Sequence, residues 1–280
     1  MTMKIGRRFL LPALVGGLFA SQLATGPAHA QAPAAPAAPA APAAPAAQAP
    51  AAAVESADQL LARVDGGNSS FKDAIFEFKM IIKEPGGPRE VAFLTKQKGN
   101  EKRLVTFLAP ADIKGMGFLI ESADVMYALL PQFGNRVRRV ATHQMGGNFM
   151  GSDMSSDDMA LTKYGAAYTP KIIGSENGKT ILELTLKPGQ KSTSTRLKMW
   201  VDPAKALISQ VEYYDATGKK TRTQIRDDYR ADSPKHMSPF LLRFIDHVRN
   251  NHETELRLQK SQLDTGLGDD VFTVRALSKG

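Results

Sequence analysis

The stretch 182–201, LELTLKPGQKSTSTRLKMWV, contains two segments in which apolar and polar side chains alternate. In LELTL the leucines occupy every second position, and in RLKMWV the residues Leu197, Met199 and Val201 do the same. Because successive side chains of a β-strand point to opposite faces, each segment has one apolar and one polar face when extended. The stretch therefore predicts two half-buried strands of an antiparallel sheet.

The same alternation recurs on both sides of this stretch. A run nearer the N-terminus places apolar side chains at every second position, at Phe76, Phe78, Met80 and Ile82. Asn177-Gly178 stands between two strand-like runs, as is typical of a two-residue hairpin. Asn250-Asn251 is interpreted as a similar turn, which places Arg249 opposite His252. Counting such runs predicts about ten to twelve strands.

Helical pattern is scarce in the sequence. Residues 56–59 have the S-x-x-Q form of a capping box, and Leu60, Leu61 and Val64 follow as an apolar stripe. Gly66-Gly67 is expected to end this helix. A second helical pattern is limited to residues 156–164.

Residues 1–30 have the features of a cleaved secretory signal peptide. Three basic residues precede position 9, and a mostly apolar run covers residues 9–23. Ala28-His29-Ala30 then places small residues at the −3 and −1 positions of a cleavage site before Gln31. The apolar run is short for a membrane span, and no charged stop follows it. We therefore expect export across the inner membrane and a periplasmic location.

Residues 31–53 consist almost only of alanine and proline. Proline at about every third position blocks helix formation and favours an extended polyproline II conformation. Such a segment cannot offset its ordering entropy by burial, so we interpret it as a disordered or semi-rigid spacer. No second change of composition and no internal repeat follows, and residues 54–280 are therefore predicted to form one β domain.

Charge and cysteine content restrict the classes of partner. The full chain has a net charge of +8, and loss of the three basic residues of the leader leaves about +5. A mildly basic exported protein is attracted to anionic lipid surfaces. Nucleic acid is not expected as a partner, because the compartment is wrong and the sequence has no basic-aromatic motif. The chain has no cysteine, so it has neither a disulfide nor a thiol for a lipid anchor.

A sheet of so many strands is expected to curl. Two interpretations of its concave face are open at this point. In one, two or three short helices leave an apolar hollow that fits an acyl chain. In the other, the helices fill the hollow as an ordinary hydrophobic core.

Residues 126–164 have the most distinctive composition in the domain. RVRRV, residues 136–140, is predicted to be a strand with three arginines, and a loop rich in glycine and serine follows it. Met145, Met150, Met154 and Met159 lie close together in this region. Methionine adapts to varied apolar partners, which suits a lid over a lipid, but it also fills gaps in ordinary cores. The sequence leaves both interpretations open.

The run LLPQFGNRVRRV, followed by NFMGSDMSSDDM, resembles the outer-membrane lipoprotein-sorting-like proteins of the LolA-like superfamily. In that group a strand ends in proline, an R-x-R-R strand follows, and F-M-G-[S/T]-D then precedes an acidic pair. Three further pieces are similar and occur in the same order, at residues 107–115, 200–219 and 270–272. The sequence departs from the group at Met154 and Ser156, where aromatic residues are common.

The resemblance implies a mainly β fold, in which a curled antiparallel sheet forms an unclosed barrel of about eleven strands with a few helices over the concave face. It implies a periplasmic carrier or chaperone that binds a lipid or a lipoprotein acyl group, in outer-membrane lipoprotein sorting or envelope lipid transport. An inner-membrane transport system is implied as a further partner. The alternative is a non-enzymatic accessory or regulatory protein that binds an envelope or transporter protein without lipid cargo.

No catalytic constellation is found in the sequence, so no enzyme activity, cofactor or metal site is expected. The G-x-S-x-G, H-E-x-x-H and Walker motifs are absent. His247 and His252 flank the proposed Asn250-Asn251 turn, but a two-residue turn does not pair them. Adjacent aspartates such as Asp157-Asp158 point to opposite faces of a strand and are poor acid/base partners.

Two groups of candidate binding residues follow from the patterns and the resemblance. Apolar side chains are candidates for lipid binding: Phe76, Phe78, Met80, Leu197, Met199, Met150 and Met154. Polar side chains are candidates for binding a partner or anchoring the loop: Arg136, Arg138, Arg139 and Asp153. Arg136 and Arg138 share one strand face, where they fit lipid phosphates or an acidic partner. Arg139 lies on the other face and is expected to pair with Asp153 or Asp158.

Overall fold

A computed structural model describes residues 55–99, 102–122, 125–131, 134, 136–140, 148–155 and 163–279. The signal peptide predicted at residues 1–30 and the spacer predicted at residues 31–53 lie outside the described residues, and both remain predictions. Met145, Met159 and Asp158 also lie outside them.

The described residues form one antiparallel sheet of thirteen strands. In chain order these are β1 (Asp73–Glu84), β2 (Gly87–Lys98), β3 (Lys102–Ala109), β4 (Gly117–Ser122), β5 (Val125–Leu130), β6 (Arg136–Arg139), β7 (Tyr168–Glu176), β8 (Lys179–Leu186), β9 (Arg196–Asp202), β10 (Leu207–Tyr214), β11 (Lys220–Ser233), β12 (His236–Asp246) and β13 (His252–Leu263). The sheet order is β6-β5-β4-β3-β2-β1-β13-β12-β11-β10-β9-β8-β7, so β6 and β7 are its two edges and the barrel is unclosed. The mainly β prediction is confirmed. The sheet has thirteen strands, whereas the sequence predicted about ten to twelve and the resemblance implied about eleven.

Of two turns predicted from the sequence, the one between β7 and β8 is confirmed, and the one between β12 and β13 is longer than predicted. Asn177 and Gly178 both have positive φ, 48° and 74°, and form the predicted two-residue turn between β7 and β8. The β12–β13 connection is longer than predicted, because β12 ends at Asp246 and this residue, not Arg249, lies opposite His252. The Asp246 carboxylate accepts the N–H groups of Val248 and Arg249, which stabilises a local turn and ends the strand early.

Helices are few and short apart from the first. They are α1 (Ala57–Asn68), α2 (Tyr164–Ala167) and α3 (Val274–Leu277), with 3-10 turns at Phe149–Gly151 and Asp269–Val271. The predicted capping box is confirmed, since Gln59 N–H donates to Ser56 Oγ at 3.2 Å and Ser56 N–H donates to Gln59 Oε1 at 2.8 Å. Among the described residues, no helix is both long enough and apolar enough to cross a membrane.

One face of the sheet is concave. Arg103 on β3 and Tyr213 on β10 are six strand-to-strand steps apart, roughly 29 Å in a flat sheet at ~4.8 Å per step. Both residues nevertheless line one small cavity, so the sheet curls around it. Helix α1 contacts β7, β10 and β12 on this concave face. The C-terminal residues Phe272 and Leu277 pack against the opposite face of β3 to β5.

Candidate functional site

The concave face has two apolar parts, and helix α1 covers the first. Leu60, Leu61 and Val64 of α1 pack in one buried cluster with side chains of β8, β9 and β10. Leu197 and Met199, two of the predicted lipid-binding residues, belong to this cluster and have no exposed surface. In this structure they contact a helix instead of an open hollow.

Residues 148–155 cover the second apolar part, over β2, β3 and β4, and we call them the cover segment. Its Phe149 ring lies 5.9 Å from the Phe107 ring and 5.4 Å from the Phe118 ring, centroid to centroid. Met154 is buried in the same cluster, and Met150 packs against it from a partly exposed position. The cover segment therefore places its own apolar side chains where an acyl chain could otherwise lie.

A buried carboxylate fixes the cover segment to the end of β13. The side chain of Asp153 is fully buried, and it accepts hydrogen bonds from Arg249 Nη1 at 3.1 Å and Thr254 Oγ1 at 2.7 Å. His252 Nδ1 lies 2.8 Å from both carboxylate oxygens. Thr254 Oγ1 also accepts the N–H of Asp153, so the backbone of the segment is held as well as the side chain. These contacts join the cover segment to strand β13 and to the turn before it.

Arg139 is predicted to pair with Asp153 or Asp158, and the first alternative is wrong, because Asp153 pairs with Arg249 and His252 instead. The second alternative, Asp158, lies outside the described residues and stays a prediction. Arg136, Arg138 and Arg139 are exposed on β6, at one edge of the sheet. The partners of Asp153 come from a turn about a hundred residues further along the chain, and no local pattern indicated that proximity.

A row of phenylalanine rings crosses the concave face from its centre to the cover segment. It consists of Phe71, Phe76, Phe78, Phe93, Phe107, Phe118 and Phe149, and we call it the aromatic row. Successive ring centroids lie between 5.3 and 6.1 Å apart, within the range of favourable aromatic pairs. Phe93 and Phe107 are almost fully buried, whereas Phe78 is partly exposed between Phe76 and Phe93.

The centre of the concave face contains a polar cavity of about 190 Å³, which we call the central cavity. Its lining includes Phe71, Phe76, Arg103, Tyr213, Arg226 and His236. Phe71 and Phe76 belong also to the aromatic row, so the row begins at the cavity wall. Met237, another lining residue, is 36 % exposed at the rim.

Two guanidinium groups are held in the central cavity by glutamine side chains. Arg103 Nε donates to Gln97 Oε1 at 3.1 Å, and Arg226 Nε donates to Gln224 Oε1 at 2.9 Å. Burial lowers the pKa of Arg103 to about 10, so the group stays charged at neutral pH. Burial also acts to lower the pKa of Arg226, but the surrounding tyrosines raise it overall. Both cations are therefore present in the cavity under physiological conditions.

The second cation is oriented further by the start of helix α2. Arg226 Nη2 donates to the hydroxyl of Tyr164 at 2.8 Å. Asp65 at the end of α1 accepts the backbone N–H groups of Tyr164 and Gly165, both at 2.8 Å. Burial raises the pKa of Asp65, although these two N–H groups act to lower it. Asp65 thus links α1 to α2 and positions Tyr164 against Arg226.

Comparisons with known proteins agree with this geometry. A protein-family model described as “Uncharacterized protein” matches residues 99–279, which is more than half of the chain. A DUF1329 family protein from Desulfovibrio piger superposes with a TM-score of 0.72 at 25 % identity, over 78 % of this chain and 96 % of its own. A domain from Vibrio parahaemolyticus, provisionally assigned to outer membrane lipoprotein sorting, superposes with a TM-score of 0.71 at 24 % identity. The match covers 78 % of this chain and 97 % of that domain. A LolA superfamily protein from Nitrosomonas europaea superposes with a TM-score of 0.68 at 18 % identity, over 79 % of this chain and 99 % of its own.

The chain belongs to the family that this model describes, and it has the fold of the LolA superfamily protein. The resemblance found in the sequence is thereby confirmed. No curated protein matches the sequence at a significant level.

In this LolA-like sheet the predicted lipid-binding residues lie in different surroundings. Phe76 lines the central cavity, and Phe78 is the next ring of the aromatic row. Met80 is fully buried under the cover segment, in the cluster that includes Met154. The structure brings Phe76, Phe78 and Met80 together on one part of the concave face, and it places Leu197 and Met199 on another.

The residues that the sequence analysis missed are the polar ones of the central cavity. Arg103 shares its strand face with Val105 and Phe107, so a charged side chain stands where the alternation expects an apolar one. That inward cation could have been recognised in the sequence. Its proximity to Arg226 could not, because the two residues lie on strands that only curling brings together.

The titratable groups of the described part of the chain do not form a metal site. Among these residues, no group of three or more His, Asp or Glu side chains is arranged to hold a metal ion. The histidine–carboxylate contact of His252 and Asp153 lies beneath the cover segment and holds that segment in place.

Proposed function

We propose that this protein is a non-enzymatic periplasmic carrier or chaperone that binds a lipid or a lipoprotein acyl group on its concave face. Its role is in outer-membrane lipoprotein sorting or in envelope lipid transport. The observation that carries the proposal is the aromatic row, which gives a continuous apolar track from the central cavity to the cover segment. The LolA-like fold supports the same class of function.

An acyl chain could displace the apolar side chains of the cover segment from the aromatic row. Its apolar contacts come from a few side chains, chiefly Phe149 and Met154. Its polar attachment consists of the Asp153 side chain and of backbone carbonyls that accept hydrogen bonds from Arg89, Arg222 and Arg249. Each methylene of an acyl chain that leaves water contributes about 0.8 kcal/mol. A chain of about ten methylenes on the aromatic row therefore offsets the loss of the contacts that the two cover side chains make.

Export to the periplasm is tested on the mature protein. We expect N-terminal sequencing of protein from the periplasmic fraction to begin at Gln31, after the Ala28-His29-Ala30 site. Ala30→Arg places a large charge at the −1 position and should leave uncleaved precursor, whereas Ala34→Arg should be processed normally. An intact Met1 in the periplasmic material would contradict cleavage.

A second candidate function is an accessory or regulatory protein that binds an envelope or transporter protein without lipid cargo. The edge strand β6 favours it, since Arg136, Arg138 and Arg139 present three cations at an edge of the sheet that the described residues form. An inner-membrane transport system is the partner we propose for this edge. Native mass spectrometry of protein purified from cells separates the two functions, because a carrier should retain a lipid.

Phe78→Ala tests the carrier proposal in solution. We expect the variant to lose about tenfold in affinity for a fluorescent fatty acid, because one ring of the track is removed. Its loss of unfolding free energy should stay below the ~3–5 kcal/mol of a packed core phenylalanine, because Phe78 is partly exposed. Fluorescence titration and urea unfolding measure the two effects.

The matched control is Ile75→Ala, which removes a partly buried side chain from the opposite face of the same strand. Its fatty-acid affinity should equal that of the wild type. If the wild type binds no fatty acid and Phe78→Ala unfolds the domain, the concave face is a filled core, and the accessory function replaces the carrier.

A further inference from the structure

We infer that the central cavity binds the anionic group of an amphiphilic ligand, a carboxylate or a phosphate, while the apolar chain of that ligand follows the aromatic row. This inference rests on the proposed carrier function and specifies the chemical class of its ligand. The geometry behind it is a cavity with two cations at one end of an apolar track.

The first argument is the charge of the cavity wall. Arg226 donates to the amide oxygen of Gln224 and to the hydroxyl of Tyr164, which are neutral groups. In the described part of the chain it forms no ion pair with a carboxylate. Arg103 enters the same cavity from the other side of the curl, with its Nε on Gln97. Arg226 on its neutral supports offers charge-assisted hydrogen bonds to an anion, and Arg103 adds a second positive charge to the cavity wall.

The second argument concerns the two carboxylates near the cavity, whose hydrogen bonds go to groups other than Arg226. Asp65 accepts two backbone N–H groups at the start of α2. Asp232 accepts the hydroxyls of Ser238 and Ser261 through Oδ2, both at 2.7 Å, and its Oδ1 lies 4.0 Å from His236 Nε2. His236 lines the cavity, and its Nδ1 lies 2.7 Å from Ser70 Oγ. Asp65 is engaged through both carboxylate oxygens and Asp232 through Oδ2, whereas Asp232 Oδ1 has no hydrogen-bond partner within the described residues. Arg226 forms an ion pair with neither acid, so its charge is available to an external anion.

The third argument is size. A volume of about 190 Å³ is smaller than the ~300–1,000 Å³ of ordinary small-molecule pockets. It accommodates a head group but not the whole of a lipid. The chain must leave the cavity, and the apolar wall made by Phe71 and Phe76 directs it onto the aromatic row. A polar end and an apolar track of this kind match an amphiphile with one negative head.

The test compares two probes that differ only in charge, a pyrene-labelled fatty acid and its methyl ester. We expect the wild-type mature protein to bind the acid at least about tenfold more tightly than the ester. Arg103→Gln and Arg226→Gln should each bring this preference close to one and leave the affinity for the ester nearly unchanged. Arg257→Gln is the matched control, because Arg257 is exposed and paired with Glu255, and it should retain the full preference.

A second set of competitors distinguishes the sources of the anion. Lysophosphatidic acid and an unlabelled fatty acid of equal chain length should both displace the labelled acid, and inorganic phosphate should not do so at comparable concentration. If Arg226→Gln fails to fold, as judged by circular dichroism, Arg103→Gln and the wild-type acid-to-ester ratio still decide the question. Arg226→Lys keeps the positive charge but lacks the planar guanidinium group, and it should retain part of the preference for the acid over the ester.

Each outcome has one meaning. Equal binding of acid and ester by the wild type overturns the anion site and leaves the carrier function standing. Failure of both probes to bind overturns the carrier function itself. Displacement by inorganic phosphate at the concentration of the lysophospholipid shows a site for a free anion, and the amphiphile inference is then overturned.

Discussion

Replacing Asp153 by alanine should lower the free energy of unfolding by about 3 kcal/mol, the lower end of the cost of breaking a buried ion pair. The substitution removes a fully buried carboxylate and leaves Thr254 and His252 without their acceptor under the cover segment. The cost stays at the lower end because Arg249 is 40 % exposed and regains water when its partner is lost. Urea unfolding of the mature wild type and variant measures the difference.

The same variant should also loosen the cover segment over the aromatic row. We expect Asp153→Ala to bind the fluorescent fatty acid more tightly than wild type, because the chain then competes with a more weakly attached Phe149. Glu90→Ala is the control, since Glu90 is an exposed glutamate paired with Lys79, and it should change neither quantity by much. An Asp153→Ala protein as stable as the wild type would show that the segment is held by its apolar contacts and its backbone hydrogen bonds, without the carboxylate.

Replacing Leu197 by alanine should cost about 3 kcal/mol of unfolding free energy, as expected for a leucine in a filled core. Leu197 has no exposed surface and lies in the cluster under helix α1, with Leu61 and Val64 as helix members of that cluster. The affinity of the folded fraction for the fluorescent fatty acid should not change, because the aromatic row lies on the other part of the concave face. Thermal and urea unfolding give the first quantity, and titration below the transition gives the second.

Lys198→Ala, the adjacent position on the opposite strand face, is the matched control for Leu197→Ala. Its side chain is partly exposed and lies over the Trp200 ring, so the loss should be about 0.5–1 kcal/mol. A Leu197→Ala protein that keeps wild-type stability but loses the fatty acid would place the ligand under α1 instead.

Taken together, these variants divide the concave face between core and binding surface. Under α1 the hollow is filled by Leu60, Leu61 and Val64, so the ordinary-core interpretation holds there. Under the cover segment Phe93 and Phe107 are also buried, whereas Phe78 is partly exposed and a cavity lies beside Phe76. The ordinary-core interpretation therefore holds under α1, and the acyl-chain interpretation stays a prediction for the part around Phe78 and the central cavity.

Local sequence determined the elements of this fold. Alternation at Leu197, Met199 and Val201 fixed which side of β9 is buried, because a strand has only two faces. Asn177-Gly178 determined a tight turn, because these two residues tolerate positive φ. The capping box at Ser56 determined where α1 begins, since its hydrogen bonds lie within a single turn of helix.

The tertiary structure alone decided which distant side chains meet. Arg103 and Arg226 share a cavity because thirteen strands curl, and the degree of curling is a property of the whole sheet. Asp153 pairs with Arg249 and His252 and not with Arg139. The reason is that a buried carboxylate is stable only where the folded chain supplies hydrogen-bond donors. Local patterns encode faces and turns through interactions a few residues apart, whereas a binding site depends on contacts between strands that the sequence separates by a hundred residues or more.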